Sequence, residues 1–396
     1  MKAPVRRKNK QGLINSSASL LSILGGMLFG FLLLILFNPP YALYGLNKIF
    51  STGVASLDKL AKVLYQSAPL LLTGLSVAFA FKTGLFNIGA TGQYTLGSFF
   101  ALLAVIQWRL PWWAGLLLAM VGGALLGAIP GLCKALFNVN EVITSIMFNW
   151  ISLFVVNLSI NNIPLMLANA WGAPNKERTV SLIGPKFMEY NPHGTIPKLG
   201  LDELMSSPYM NISVFLAILI ALVIWVLMNR TTFGYELKAC GFNRHASEYA
   251  GINAKRNIVL SMTIAGALAG IGGGLYFLSG TAQYTLVKSL MTMGFNGIPV
   301  ALLAGSNPLG TIFSALFISY IQVGGDALQP EYAKEIIDII IAAIIYLSAF
   351  AMLMRGWIGQ LFIRRQKENS NQEPSPRPDF PASQPNESGE QEEVAP

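Results

Sequence analysis

Phe233-Gly-Tyr-Glu-Leu-Lys-Ala-Cys-Gly-Phe-Asn-Arg-His-Ala-Ser-Glu-Tyr-Ala-Gly-Ile252 is a polar stretch set between two apolar runs, Met210–Met228 and Ile258–Gly280. Each run approaches the roughly 20 residues a helix needs to cross a bilayer, so the stretch between them is a connection at a membrane surface. Its basic residues Arg230, Lys238, Arg244, Lys255 and Arg256 outnumber Glu236 and Glu248, which assigns it to the cytoplasm. A structured element in that position is what a membrane protein shows to a cytoplasmic partner. An ordinary connecting loop is the alternative.

Composition extends this reading to the whole chain. Hydrophobic residues make up 53% and charged residues 12%, about half the charged fraction of a soluble domain. The apolar residues come in long blocks, and in a bilayer such blocks satisfy their backbone groups as helices. Ten are present: Leu20–Phe37, Ala68–Phe81, Gly84–Ile106, Trp112–Phe137, Glu141–Ile160, Met210–Met228, Ile258–Gly280, Met293–Gly305, Leu309–Val323 and Ile336–Met354. The expected fold is therefore all-α, a polytopic integral membrane protein of about ten transmembrane helices with both termini cytoplasmic.

Charge sets the expected topology. The net charge of +8 conceals an acidic tail from Gln366 onward, and residues 1–365 carry 25 basic against 12 acidic residues, a net +13. The excess lies in the N-terminus, the central loop and the region after Met354, where it reads as topology and contact with anionic lipid headgroups, not nucleic-acid binding. Residues 1–19 form a basic cytoplasmic N-terminus, with Arg6, Arg7, Lys8 and Lys10 ahead of a retained first span, since Asn38-Pro39-Pro40 offers no cleavage site. Residues 20–365 form the membrane domain. Within it, 161–209 has balanced charge and is expected outside as a small cap, with Trp108, Trp112 and Trp113 at the outer boundary, and 229–257 is the cytoplasmic loop. Residues 366–396 are a disordered cytoplasmic tail.

Two segments echo one another. Gly84-Leu-Phe-Asn-Ile-Gly-Ala-Thr-Gly-Gln93 and Gly294-Phe-Asn-Gly-Ile-Pro-Val-Ala301 each set Phe-Asn beside glycines at the start of an apolar run. Transporters built from internal repeats place substrate pathways at such interrupted segments. Phe86, Asn87, Gln93, Asn149, Phe295 and Asn296 are accordingly the candidate pathway residues. Close helix packing is the alternative, and for the glycines alone it is the favoured one.

Much chemistry is missing. Glu141 and Asp338 stand near the starts of their spans and read as helix-start acids in the favourable field of the helix dipole rather than as proton relays. Cys133, Cys240, His193 and His245 are too few for a disulfide framework or a structural metal site. No nucleophilic triad assembles, and no Gly-Lys dipeptide occurs, so nucleotide phosphates cannot be cradled in the P-loop manner. The chain itself is expected to be non-catalytic, with no cofactor of its own, and to be driven by a separate engine.

Phe81-Lys-Thr-Gly-Leu-Phe-Asn-Ile-Gly-Ala-Thr-Gly-Gln93, Asn140-Glu-Val-Ile-Thr-Ser-Ile-Met-Phe-Asn149, the loop 234–252 and Gly294-Phe-Asn-Gly-Ile-Pro-Val-Ala-Leu-Leu-Ala-Gly305 together resemble the permease subunits of bacterial ABC importers. The group is the branched-chain amino acid, ribose and nucleoside superfamily, and the nucleoside branch is the nearest. The resemblance implies a permease of the bacterial cytoplasmic membrane, a second homologous permease, an ATPase with two nucleotide sites that binds ATP and Mg, and an extracytoplasmic substrate-binding lipoprotein. It also implies that the loop is the coupling element, with Glu236, Gly241, Asn243, Arg244, Tyr249 and Gly251 at the ATPase. A short helix from Arg244 to Ala250, capped by Asn243 and ended by Gly251, is expected there. The chain departs from the usual motif at Thr91, where glutamate is common, and at Ser306, where basic residues are frequent. Neutral amides and aromatic rings suit a nucleoside. Ribose or another sugar is the closest rival substrate, and a stand-alone secondary carrier the rival of another class.

Overall fold

The computed structural model describes residues 24–349; the basic N-terminus 1–19, the beginning of the first run, the end of the last and the tail 366–396 lie outside the described residues. The helices are α1 (Leu24–Phe37), α2 (Ala42–Thr52), α3 (Leu57–Lys82), α4 (Ala90–Ile106), α5 (Trp112–Phe137), α6 (Glu141–Asn162), α7 (Pro185–Tyr190), α8 (Leu201–Leu204), α9 (Ser213–Arg230), α10 (Thr232–Phe242), α11 (Arg244–Tyr249), α12 (Ala254–Leu278), α13 (Thr292–Phe295), α14 (Gly297–Leu303), α15 (Gly310–Asp326) and α16 (Lys334–Ala349). Among the described residues, extended pairing is confined to two isolated bridges, Leu167 with Thr179 and Arg178 with Thr285. Helices α3, α5, α6, α9 and α12 are long and apolar enough to cross a membrane. The fold is that of an all-helical, multi-pass membrane protein.

Lipid tails are as apolar as leucine, so burying leucine against leucine gains little there, and close backbone approach has to bring helices together. Helix α12 does this with glycines and packs on α5, α4 and α3. A Cβ on Gly123 of α5 would stand 2.7 Å from the Gly270 Cα, and one on Gly127 would stand 2.9 Å from the Gly266 Cα. The two backbones therefore touch along a seam with no side chain between them. Hydroxyls add interhelical bonds: Ser76 Oγ donates to Ala265 O at 2.6 Å and Ser319 Oγ to Val63 O at 2.6 Å. Helix α3 is enclosed from Ser67 to Ala80, whereas α5, α6 and α9 expose Leu117, Leu125, Met147, Phe154, Leu219 and Val223, the face that acyl chains solvate.

Residues 161–209 form an ordered cap. Two 3-10 turns and the short helices α7 and α8 fold around Phe187, which is fully buried, with Trp171 edge-on to Tyr190 at 5.1 Å. The Arg109 guanidinium lies over the Tyr190 ring, 3.8 Å from its centroid. Backbone bonds tie the cap to the end of α12 and the loop after it, with Ile196 N–H donating to Leu278 O at 2.9 Å and Thr179 N–H to Tyr284 O at 2.9 Å. Burial pushes the Tyr284 phenol above its ordinary pKa. That group stays protonated and donates to Asn157 Oδ1.

Candidate functional site

The two Phe-Asn segments meet. Gly294 lies against the first turn of α4, where its Cβ would stand 2.6 Å from Thr91 N, and Thr73 Oγ1 donates to Met293 O at 3.3 Å. Their asparagines do different things. Asn87 and Gln93 form a reciprocal amide pair: Asn87 Nδ2 donates to Gln93 Oε1 at 2.8 Å, and Gln93 Nε2 returns to Asn87 Oδ1 at 3.0 Å. Asn87 Nδ2 also donates to Ser76 Oγ at 2.9 Å. The pair is buried and lines neither of the cavities described below. Asn149 is likewise enclosed. Its Oδ1 accepts from Gly92 N–H at 2.8 Å and its Nδ2 donates to Ile88 O at 3.1 Å. The N-cap position of α4 is Gly89, which has no side chain to cap the helix, so Asn149 on α6 does from a distance what an N-cap residue does locally. Phe86 stacks on Phe81 with centroids 5.1 Å apart.

Phe295 and Asn296 face a cavity. Pro299 has no N–H to donate to Phe295 C=O, and its ring crowds that carbonyl; the span loosens there and divides into α13 and α14, with Asn296 at the join. Beside the join is a cavity of about 640 Å³. Asn296, Gln66, Gln322, Asp338, Phe295 and Tyr346 line it, together with Asp326 and Lys334. Asp326 is paired with Lys62 at 3.5 Å. Gln66 Oε1 is shielded from solvent without a hydrogen-bond partner. The site is thus rich in amides, with two aromatic rings and one carboxylate, that of Asp338, outside the described ion pairs.

Sequence reasoning did not single out Gln66, Gln322 or Tyr346. Gln322 was findable as an amide inside the Leu309–Val323 run. Gln66 fell just before the run expected to begin at Ala68. Asp338 lies one turn inside α16, whose first-turn acid is Glu335, and faces the cavity, so it departs from the expected helix-start role. Glu141 fits that role: it opens α6 beside the Asn140 cap and pairs with Lys134 at 3.0 Å.

The polar loop folds as two short helices. Thr231 Oγ1 accepts from Gly234 N–H to start α10, and Asn243 Oδ1 accepts from Ala246 N–H at 3.0 Å to start α11. Gly251 follows α11 at φ +81°, the left-handed conformation that glycine adopts without strain. Arg244 and Glu248 pair across one turn at 3.3 Å. Glu236 Oε2 accepts from Asn257 Nδ2 at 3.3 Å and fastens α10 to α12. Gly241 touches the turn between α3 and α4, where its Cβ would stand 2.7 Å from the Thr83 carbonyl carbon. This hairpin of helices exposes aromatic side chains: Phe242 is 90% and Tyr249 94% exposed.

Over residues 59–349 the chain matches the family described as the permease component of the branched-chain amino acid transport system. The chain belongs to that family. Among curated relatives, this permease is 34% identical to the guanosine ABC transporter permease protein NupP of Bacillus subtilis, over 86% of this chain and 95% of the relative. It is 34% identical to the nucleoside ABC transporter permease protein NupB of Lactococcus lactis, over 85% and 91%. A second guanosine ABC transporter permease protein of Bacillus subtilis, NupQ, is 27% identical over 65% and 79%. No solved structure matches this permease.

Proposed function

We propose that this permease is one of two homologous membrane subunits of an ATP-driven importer of nucleosides. The observation that carries the proposal is the cavity at the α13–α14 join, because Gln66, Asn296, Gln322 and Asp338 at the depth of membrane spans are too costly to turn toward acyl chains. They have to face water, substrate or a second subunit. Phe295 and Tyr346 supply surfaces on which a base can stack, and the amides read its hydrogen-bonding edge and the ribose hydroxyls. Asn87, Gln93 and Asn149 act behind this face: they hold the start of α4 against α6 and α3, and α4 in turn supports Gly294. The nucleoside and guanosine names of the relatives support the substrate class. Two guanosine permeases from one organism, both similar to this chain, support a paired subunit.

In this reading the chain crosses ten times, through α1, α3, α4, α5, α6, α9, α12, the divided α13–α14, α15 and α16, while α2 lies along one surface. Lys62 beside Asp326 and Gly84 beside Gly241 support it, since they group the start of α3 with the end of α15 and the end of α3 with α10. The termini, α10 and α11 are cytoplasmic, in the bacterial plasma membrane, and the cap is outside, where a substrate-binding lipoprotein delivers its cargo. ATP and Mg bind a separate ATPase with two nucleotide sites, which takes hold of α10 and α11. ATP binding draws the loops of the two permeases together and turns the cavity from one side to the other.

Proteoliposomes holding this permease, its companion permease, the ATPase and the lipoprotein should accumulate guanosine only with ATP and Mg inside the ATPase-bearing compartment. Accumulation without the ATPase would mean a secondary carrier, and ribose uptake with none of guanosine would mean a sugar permease. Cysteine labelling in a background lacking Cys133 and Cys240 tests the topology. Lys176→Cys, in an exposed part of the cap, should react with an impermeant maleimide on intact cells, and Tyr249→Cys only after permeabilisation; the opposite pattern would refute the topology. Asn191 is unsuitable for this purpose because it is buried and donates to Val105 O and Leu110 O.

The two asparagines of the repeated motif should separate. Asn87→Leu leaves the Gln93 amide without its partner in a dry site, which costs about 1–3 kcal/mol of stability and should lower the thermal midpoint of the purified protein. Asn296→Leu should leave that midpoint unchanged and raise the guanosine concentration needed for half-maximal uptake. If Asn296→Leu transported normally, the cavity would not be the pathway.

A further inference from the structure

A second cavity, of about 410 Å³, lies where α10 meets the turn after α3. Lys82, the last residue of α3, and Lys238 on α10 are the charged residues lining it, and no carboxylate does. Neither lysine belongs to an ion pair among the described residues. Phe81, Phe242 and Leu302 give the cavity an apolar wall, and the Ser306 hydroxyl adds a polar edge. Two lysines that line one hollow set like charges on its wall, and a shared anion between them offsets their repulsion. The hollow also sits where the spans end, so an occupant can keep an apolar tail among the helices and its charge at the surface. Basic pockets between transmembrane helices on the cytoplasmic side have this character.

We propose that this cavity binds a phosphate group between Lys82 and Lys238, and that its source is the headgroup of an anionic phospholipid whose acyl chains lie along Phe81, Phe242 and Leu302. Bound there, the headgroup bridges α10 to α3, next to the Gly241–Gly84 contact, and makes the seating of the coupling helices depend on the lipid around them. The placement of α10 at the cytoplasmic surface rests on the proposed function. The binding test does not, because it reads lipid retention without reference to side or to transport.

The permease complex is assembled in nanodiscs of phosphatidylcholine with or without phosphatidylglycerol, extracted in mild detergent, and its retained lipid is measured by native mass spectrometry. Phosphatidylglycerol should be retained over phosphatidylcholine. The Lys82→Gln, Lys238→Gln double variant should lose at least about fivefold of that preference, the double arginine variant should keep it, and Lys255→Gln, an exposed lysine away from the cavity, should not alter it. Competition by added inorganic phosphate would assign the site to free phosphate and overturn the lipid source, whereas no competition supports the headgroup. Wild-type retention in the double glutamine variant would overturn the site. So would loss of ATPase association with retention unchanged, because the lysines would then belong to the protein interface.

Discussion

Replacing Gly270 by valine should lower the yield and the thermal midpoint of the purified protein more than any other substitution considered. Its Cβ would enter the backbone of α5, 2.9 Å from Gly123 Cα, and a backbone cannot rotate aside as a side chain can. Overpacking of a close-packed interior costs about 3 kcal/mol at the upper end of its usual range, roughly a hundredfold in the ratio of folded to unfolded protein. Gly25→Ala is the matched control, since nothing lies within 4 Å of a Cβ at that site. Yield and thermal midpoint of the detergent-solubilised protein report the outcome. A Gly270→Val protein with wild-type yield and midpoint would mean that α5 and α12 are not in backbone contact.

Tyr249→Asp should abolish nearly all ATP-driven uptake while the protein folds normally. The side chain is 94% exposed, so its loss disturbs no internal packing, but an aromatic anchor at an interface contributes about 2 kcal/mol or more, and a charge in its place adds a desolvation cost. Gly241→Val should reach the same end by another route. The residue's importance comes from the 2.7 Å approach to Thr83 rather than from the backbone freedom that a glycine in a polar loop suggests, and a valine there lifts α10 off the turn between α3 and α4. In both variants uptake and substrate-stimulated ATP hydrolysis should fall together, while the lipoprotein binds guanosine as before. Full uptake with wild-type ATPase association in both would reduce the hairpin to a connecting loop.

The membrane character of the chain and the caps of α11 were legible because each rests on neighbours in sequence: apolar runs for the spans, Asn243 three residues before Ala246 for the cap; α10 and its Thr231 cap were not read. Elements marked by mixed composition were not. Helix α3 begins at Leu57 rather than Ala68, because Asp58, Lys59 and Lys62 interrupt its apolar character. Helix α2, eleven residues long, is too short to register as a span; its signal was the spacing of Ala42, Gly45, Ile49 and Thr52, which are its buried face. The amides of Asn87 and Gln93 were recognisable as buried groups in need of partners. That each is the other's partner depends on the turn between them, and that Asn149 caps α4 depends on a helix far along the chain. The cavity was the least legible part, since it draws on α3, α13, α15 and α16, and single polar residues scattered through four apolar segments become a site only when folding sets them side by side.

The glycine seam between α5 and α12 has a mechanical meaning. Helices that meet through long side chains can slide, since rotamers absorb a small shift, but two backbones in direct contact have no slack to take up. α4, α5 and α12 are therefore expected to move as a stiff block, and in the proposed function a push from α10 through Gly241 to the turn after α3 would reach that block without being dissipated. The compliance an importer needs has to lie elsewhere, in the divided span at Asn296 and in the helices around it. In the proposed function the cavity would then open or close by the hinge at its own wall, against an anvil that does not move.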